Sequence, residues 1–274
     1  MRLFTALRER RPSLAACLLA LRSKAARGQI RMSSSLPVAA VCQMTATPDK
    51  EANFSACTRL VEQAKEGGAS MVFLPEGFDY IGSNREETLA LSETLDGDII
   101  TRYTHLARKL DVWLSLGGFH ERGHDWKTDR RIYNSHIIIN GQGEIVSVYR
   151  KGHLFDVELT SKGVSLKESA FTVPGPRLLP PVQTPIGKVL LRARAIETQC
   201  FVLAAAQVGA HHAKRTSYGH ALAVDPWGVV IGDCGGSDVG VTLIQIDLQA
   251  LQDVRRDMPV QQHRREKDFY CSLD

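Results

Sequence analysis

Residues 184–200 read TPIGKVLLRARAIETQC. Pro185 and Gly187 supply the turn chemistry that precedes a strand, and Lys188-Val189 reads as that strand's first step. From Leu190 the chain passes, with no punctuation, into Leu190-Leu191-Arg192-Ala193-Arg194-Ala195-Ile196-Glu197. These are helix formers with apolar positions at helical spacing. A strand normally reaches a helix through a few residues of turn, and none stands between Val189 and Leu190. What lies on either side of that join decides what the chain is.

Upstream, strands and helices alternate. LPVAAVCQM (36–44) is a short buried strand. Asp49 caps a helix through EANFSACTRLVEQAKE, which Gly67-Gly68 ends. ASMVFLPE (69–76) is a second strand closed by Pro-Glu, DGDIITRYTHLARKLDV a helix with Ile100, Tyr103, Leu106 and Leu110 on one face, and VWLSLGGF a third strand. RIYNSHIIINGQGEIVSVYRK reads as two strands about a turn at Asn140–Gly143. Downstream, FVLAAAQVG, GHALAVDPWGVVIGD and GVTLIQIDL are strand-like, and QALQDVRRDM is helical. This order predicts a layered α/β domain rather than a purely parallel doubly wound sheet.

The first 35 residues are different in kind. They carry eight basic residues and a single acid, Glu9, with Ala/Leu/Ser repeats and a Ser33-Ser34-Ser35 linker. This composition predicts a mitochondrial presequence, with Met32 as a second start that would yield a cytosolic form. Much of the net charge of +4 sits there, so it is no footprint of nucleic-acid binding. Six scattered cysteines, without CxxC or metal-ligand spacing, read as free thiols in a reducing compartment. No apolar run is long enough to span a bilayer. The domain reading is 1–35 presequence and linker, 36–256 a single, incomplete folded domain and 257–274 a C-terminal tail.

Three charged residues stand where chemistry is commonly placed. Glu76 follows MVFLP, Lys151 follows IVSVYR, and Glu168 lies in LKESAFTVPG. A carboxylate at the exit of a buried strand is rigid and partly desolvated, which suits a general base. A lysine at such a place can stabilise a developing oxyanion. Singly, each also reads as a turn residue, a hairpin end or a helix-face charge.

Taken in order, FLPEGFDY, RIYNSHIIIN–GEIVSVYRKGHLFD, ESAFTVPG, RARAIETQC and YGHALAVDPWG resemble the blocks of the nitrilase superfamily of carbon–nitrogen hydrolases. The resemblance spans about residues 37–256. It implies an α-β-β-α sandwich and a thiol-dependent amidase with no metal or organic cofactor. Glu76 matches the general base, Lys151 the catalytic lysine and Glu168, shortly before Pro174-Gly175, the second glutamate. GGFHERGHDW, HLFDVEL, HHAKRTSYGH and PVQQHRR point to the branch whose implied substrate is deaminated glutathione, cleaved to 2-oxoglutarate and cysteinylglycine. The alternatives are an ω-amidase acting on 2-oxo dicarboxylate monoamides, or a non-catalytic partner of full-length subunits, since the family commonly oligomerises.

The resemblance also explains the join. The family's nucleophile strand has the form Gly-Lys-x-Gly-x-x-x-Cys-x-Asp and begins here at IGKV, whereas LLRARAIE belongs to a helix one strand-helix-strand unit later. Such a unit with its loops takes roughly forty to fifty residues. The expectation is a shortened, catalytically dead chain without a nucleophile cysteine. Cys200 is expected to be a buried, inert core thiol, and Cys42, Cys57, Cys234 and Cys271 lie outside any such motif. Loss of interior strands further predicts a poorly packed product, prone to edge-to-edge association.

Overall fold

The computed structural model describes residues 36–123, 125–159, 164–176, 184–185 and 199–258. Residues 1–35, expected to be a presequence and linker, the Val189/Leu190 join and residues 259–274 lie outside the described residues. The central element is an eight-stranded mixed sheet in the order β10-β9-β1-β2-β3-β4-β5, with β13 also paired to β1. Its strands are β1 (Val38–Met44), β2 (Ala69–Leu74), β3 (Trp113–Arg122), β4 (Ile132–Ile139), β5 (Ile145–Arg150), β9 (Ala206–His212), β10 (Arg215–Tyr218) and β13 (Gly240–Gln245). β1, β2 and β3 run parallel, and β3-β4-β5 continue as an antiparallel meander. A second sheet, β12-β11-β8, is built from β8 (Val202–Ala204), β11 (Leu222–Val224) and β12 (Val230–Asp233). β6 (Asp156–Leu159) and β7 (Val164–Lys167) form a hairpin.

The alternation of β1 shows the layers. Ala40, Cys42 and Met44 join a large core with Leu60, Val61 and Ala64 of helix α1 (Lys50–Glu66) and with Ile99, Ile100, Tyr103 and Leu106 of α3 (Asp98–Leu110). Ala39 and Val41 face the other way, meeting Met71 and Phe73 of β2, Leu203 of β8, Ala223 of β11 and Ile244 of β13. A strand buried on both faces reads as one apolar run, as VAAVC does. Helix α4 (Leu248–Asp257) adds Leu248 to this second cluster. The arrangement is an α/β sandwich in which helices cover one face of the main sheet and the second sheet covers the other.

Local rules act where the sequence places them. The Asp49 carboxylate accepts from Ala52 N at 3.0 Å and starts α1, and Gly67 ends it. Three elements were not legible: the short helix α2 (Arg85–Leu91), the hairpin β6–β7 and the edge strand β10. FVLAAAQVG, read as one strand, is two. The chain leaves the second sheet after Ala204 and enters the main sheet at Ala206. The apolar run hides this because side chains on both sides of the crossing are buried. Among the described residues β8 pairs with β11 alone.

Candidate active site

Glu76 sits one residue past Pro75 at the C-terminal end of β2. Its turn is fixed from three sides. Gly77 takes φ +71° and donates its N–H to the Gly118 carbonyl at 3.0 Å. The pair Gly117-Gly118 lies at an irregularity in the β3–β4 register. A Cβ on Gly118 would stand 2.4 Å from Glu76 Cγ, so only glycine lets the strand approach this carboxylate. From β9, Gln207 donates through Nε2 to the carbonyls of Glu76 at 3.0 Å and Gly77 at 3.2 Å, while its Oε1 accepts from Ala46 N.

Lys151 follows the last residue of β5. Its N–H donates to Asn134 O at 2.8 Å and its carbonyl accepts from Gly175 N at 2.9 Å. The preceding Arg150 is held by Glu121, which is buried and also accepts from Ser135 Oγ at 2.5 Å. Glu168 begins a short 3₁₀ turn after β7 and accepts the Phe155 N–H at 2.6 Å.

The three residues picked out in the sequence are together. Lys151 Nζ lies 3.4 Å from Glu76 Oε1 and 3.0 Å from Glu168 Oε2. Asn134 Nδ2 links the same two carboxylates, at 2.6 Å to Glu76 and 3.2 Å to Glu168. The Glu76 side chain is 64% exposed and that of Glu168 only 13%. Burial works to raise the Glu76 pKa, but the Lys151 charge, the Asn134 and Lys151 hydrogen bonds and the His120 charge outweigh it and hold the carboxyl below its ordinary value. Burial works to lower Lys151, but Glu76 and Glu168 keep it above the ordinary lysine value. The result is an ionised carboxylate beside a protonated ammonium, a base and a positive charge within one hydrogen-bonded group.

Asn134 and Gln207, which hold this group, are not among the residues the sequence singles out. Asn134 carried a signal, since asparagine is depleted in strands and stands within IYNSHIII. Gln207 carried none, because only the crossing between sheets brings it to Glu76. Cys200 was expected in the core but is half-buried, because Gln199 before it is tied to the end of α4 through Val254 O and Met258 O. Cys42 and Cys57 are the fully buried thiols, and burial pushes Cys57 up to about 12. Among the described residues no group of His, Cys, Asp and Glu has the arrangement of a metal site.

Comparison with known proteins gives these residues a context. The family model described as carbon-nitrogen hydrolase matches residues 38–191 and again 188–256. Deaminated glutathione amidase of Rattus norvegicus is 47% identical over 280 residues, covering 87% of this chain and 85% of the rat protein. The Homo sapiens protein of the same description is 47% identical over 283 residues, covering 88% and 86%. Since 87% of 274 residues is about 238, about forty of the 280 positions in the rat comparison face no residue of this chain. Among solved structures, the Caenorhabditis elegans NitFhit protein superposes with a TM-score of 0.78 at 39% identity, over 85% of this chain and 66% of that one. With the sandwich, the ordered sequence blocks and these matches in agreement, the chain belongs to the carbon-nitrogen hydrolase family of the nitrilase superfamily.

Proposed function

We propose that this chain is a shortened form of a thiol-dependent amidase of the deaminated glutathione type, and that it has lost the catalytic step. The observation that carries the reading is the break at the join. The family model ends its first match at 191 and restarts at 188, and about forty positions of the rat relative have no counterpart here. The break between the two family-model matches falls where IGKV runs into LLRARAIE, and about forty positions are the size of a strand-helix-strand unit.

In the complete reaction a thiolate attacks the amide carbonyl, Glu76 takes the thiol proton and later activates water, and Lys151 stabilises the tetrahedral oxyanion. Glu168 holds Lys151 in place and keeps it charged. The substrate would be deaminated glutathione, yielding 2-oxoglutarate and cysteinylglycine. Here the base and the positive charge remain, and the nucleophile is missing. Removing a covalent nucleophile costs many powers of ten in rate. The purified chain is expected to release no 2-oxoglutarate from deaminated glutathione above buffer. Turnover that vanishes in Cys200→Ala would refute this reading and make Cys200 the nucleophile. Residues 1–35 are proposed to direct mitochondrial import, with Met32 opening a cytosolic form. A reporter fused to 1–35 that stays diffuse in the cytosol would refute that part.

A further inference from the structure

Beside the Glu76 group stands a histidine that the reaction above does not use. Asp79 has a fully buried carboxylate, and among the described residues its hydrogen-bond partners are the backbone N–H and the ring of His120. It accepts the His120 backbone N–H at 3.0 Å, and its two oxygens lie 3.0 and 3.1 Å from Nδ1. Tyr80 stacks on the imidazole with ring centres 4.3 Å apart. The ring is thus fixed in position and in rotation, with Nδ1 turned to the carboxylate. Nε2, on a side chain 22% exposed, makes no hydrogen bond among the described residues.

Register places His120 beside the Glu76 group. His120 of β3 is directly paired with Asn134 of β4, so the two side chains share a face of the sheet. Asn134 is the residue that links Glu76 and Glu168. Both Nδ2 hydrogens of Asn134 are spent on those carboxylates, and Lys151 is engaged by the same pair. Among the described residues, an incoming ligand rich in oxygen atoms therefore finds few unused donors here. Nε2 of His120 is unused and donates when the ring is protonated, with the Asp79 carboxylate at Nδ1 balancing that charge.

We propose that His120, oriented by Asp79 and Tyr80, is a specificity-determining residue that receives a carboxylate of the substrate at Nε2. Two carboxylates of a deaminated-glutathione-type amide meet this chemistry: that of the 2-oxo acyl half and that of the departing dipeptide. The proposal rests on the amidase reading for the location of the reaction centre. The two fail separately, because turnover tests the amidase reading and ligand binding without turnover tests this one.

The experiment uses the full chain with isotope-labelled histidine, titrated with 2-oxoglutarate, cysteinylglycine, acetate and propionamide. His120 is assigned through His120→Gln, with His120→Asn as a second variant that keeps a shorter amide near Asp79. One of the first two ligands is expected to move the His120 signal saturably, and which one does so identifies the half that is read. Its affinity should fall at least tenfold in His120→Gln and in Asp79→Asn, with circular dichroism unchanged. Propionamide should leave the signal still. If neither ligand moves His120 in the unsubstituted chain, if acetate binds equally well, or if the variants bind as tightly, the assignment is overturned.

Discussion

Phe78 couples the stability of the fold to its site, and Phe78→Ala tests how. The ring is fully buried, two residues beyond Glu76. It meets Tyr103 edge-on at 5.1 Å and Phe119 at 6.4 Å, and its carbonyl lies 3.8 Å from Cys57 Sγ. A phenylalanine truncated in a packed core costs about 3–5 kcal/mol, cavity included. Aromatic pairs such as that with Tyr103 place the cost in the upper part of this range. A domain's whole stability is about 5–15 kcal/mol, so the variant should lose roughly a quarter of it or more. With a urea slope of ~2 kcal/mol per molar, the midpoint should fall by about 2 M. The assay is urea unfolding followed by circular dichroism, with Val230→Ala, at an exposed position, as a control expected within about 0.5 kcal/mol of the parent. A loss below ~1.5 kcal/mol for Phe78→Ala at unchanged slope would show that the helix-covered core does not carry the fold.

Further outcomes follow from the same geometry. Lys151→Met should raise the Glu76 titration toward the ordinary carboxylate value, read by carbon NMR of labelled glutamate; an unmoved titration would refute the ion pair. Because the folded Glu76 pKa is depressed, its contribution to stability is present above the unfolded pKa and lost as pH falls through the folded one, so the variant's melting temperature should fall less steeply into acid than the parent's. Gly118→Ala places a Cβ 2.4 Å from Glu76 Cγ on a backbone at φ +31° and should cost about 1–3 kcal/mol by chemical denaturation; a neutral substitution would mean that the turn moves freely. A thiol reagent at neutral pH should modify Cys200 or Cys234 before Cys42 and Cys57, by peptide mass analysis, since the latter two are buried and their thiols held protonated. Amide exchange should be slow in Met71–Leu74 and fast in Val202–Ala204, because among the described residues β2 has strands on both sides and β8 on one; equal protection would refute a weak second layer.

The helix-covered half of the domain was plain in the sequence. There each element obeys a local rule: the Asp49 cap, the Gly67 stop, the stripe Ile100-Tyr103-Leu106 and the two-sided apolar run of β1. Glu76 and Lys151 were legible because β2 and β5 of the main sheet end just before them, and Glu168 because it opens the ESAFTVPG block. The groups that arrange them were not. Gln207 comes from 131 residues away in sequence, and His120 meets Asn134 only through cross-strand register. Such contacts are products of topology, which no local pattern encodes. The β8–β9 crossing was hidden for a related reason, since residues buried in either sheet look alike.

That crossing has a mechanical consequence. Ala204 and Gln207 are three residues apart, so the chain that ends the smaller sheet is a short, nearly inextensible tether to the amide gripping Glu76 and Gly77. Strain on the outer layer is delivered to the base with little slack to absorb it. The order of that carboxylate is a gauge of how firmly the outer layer is seated.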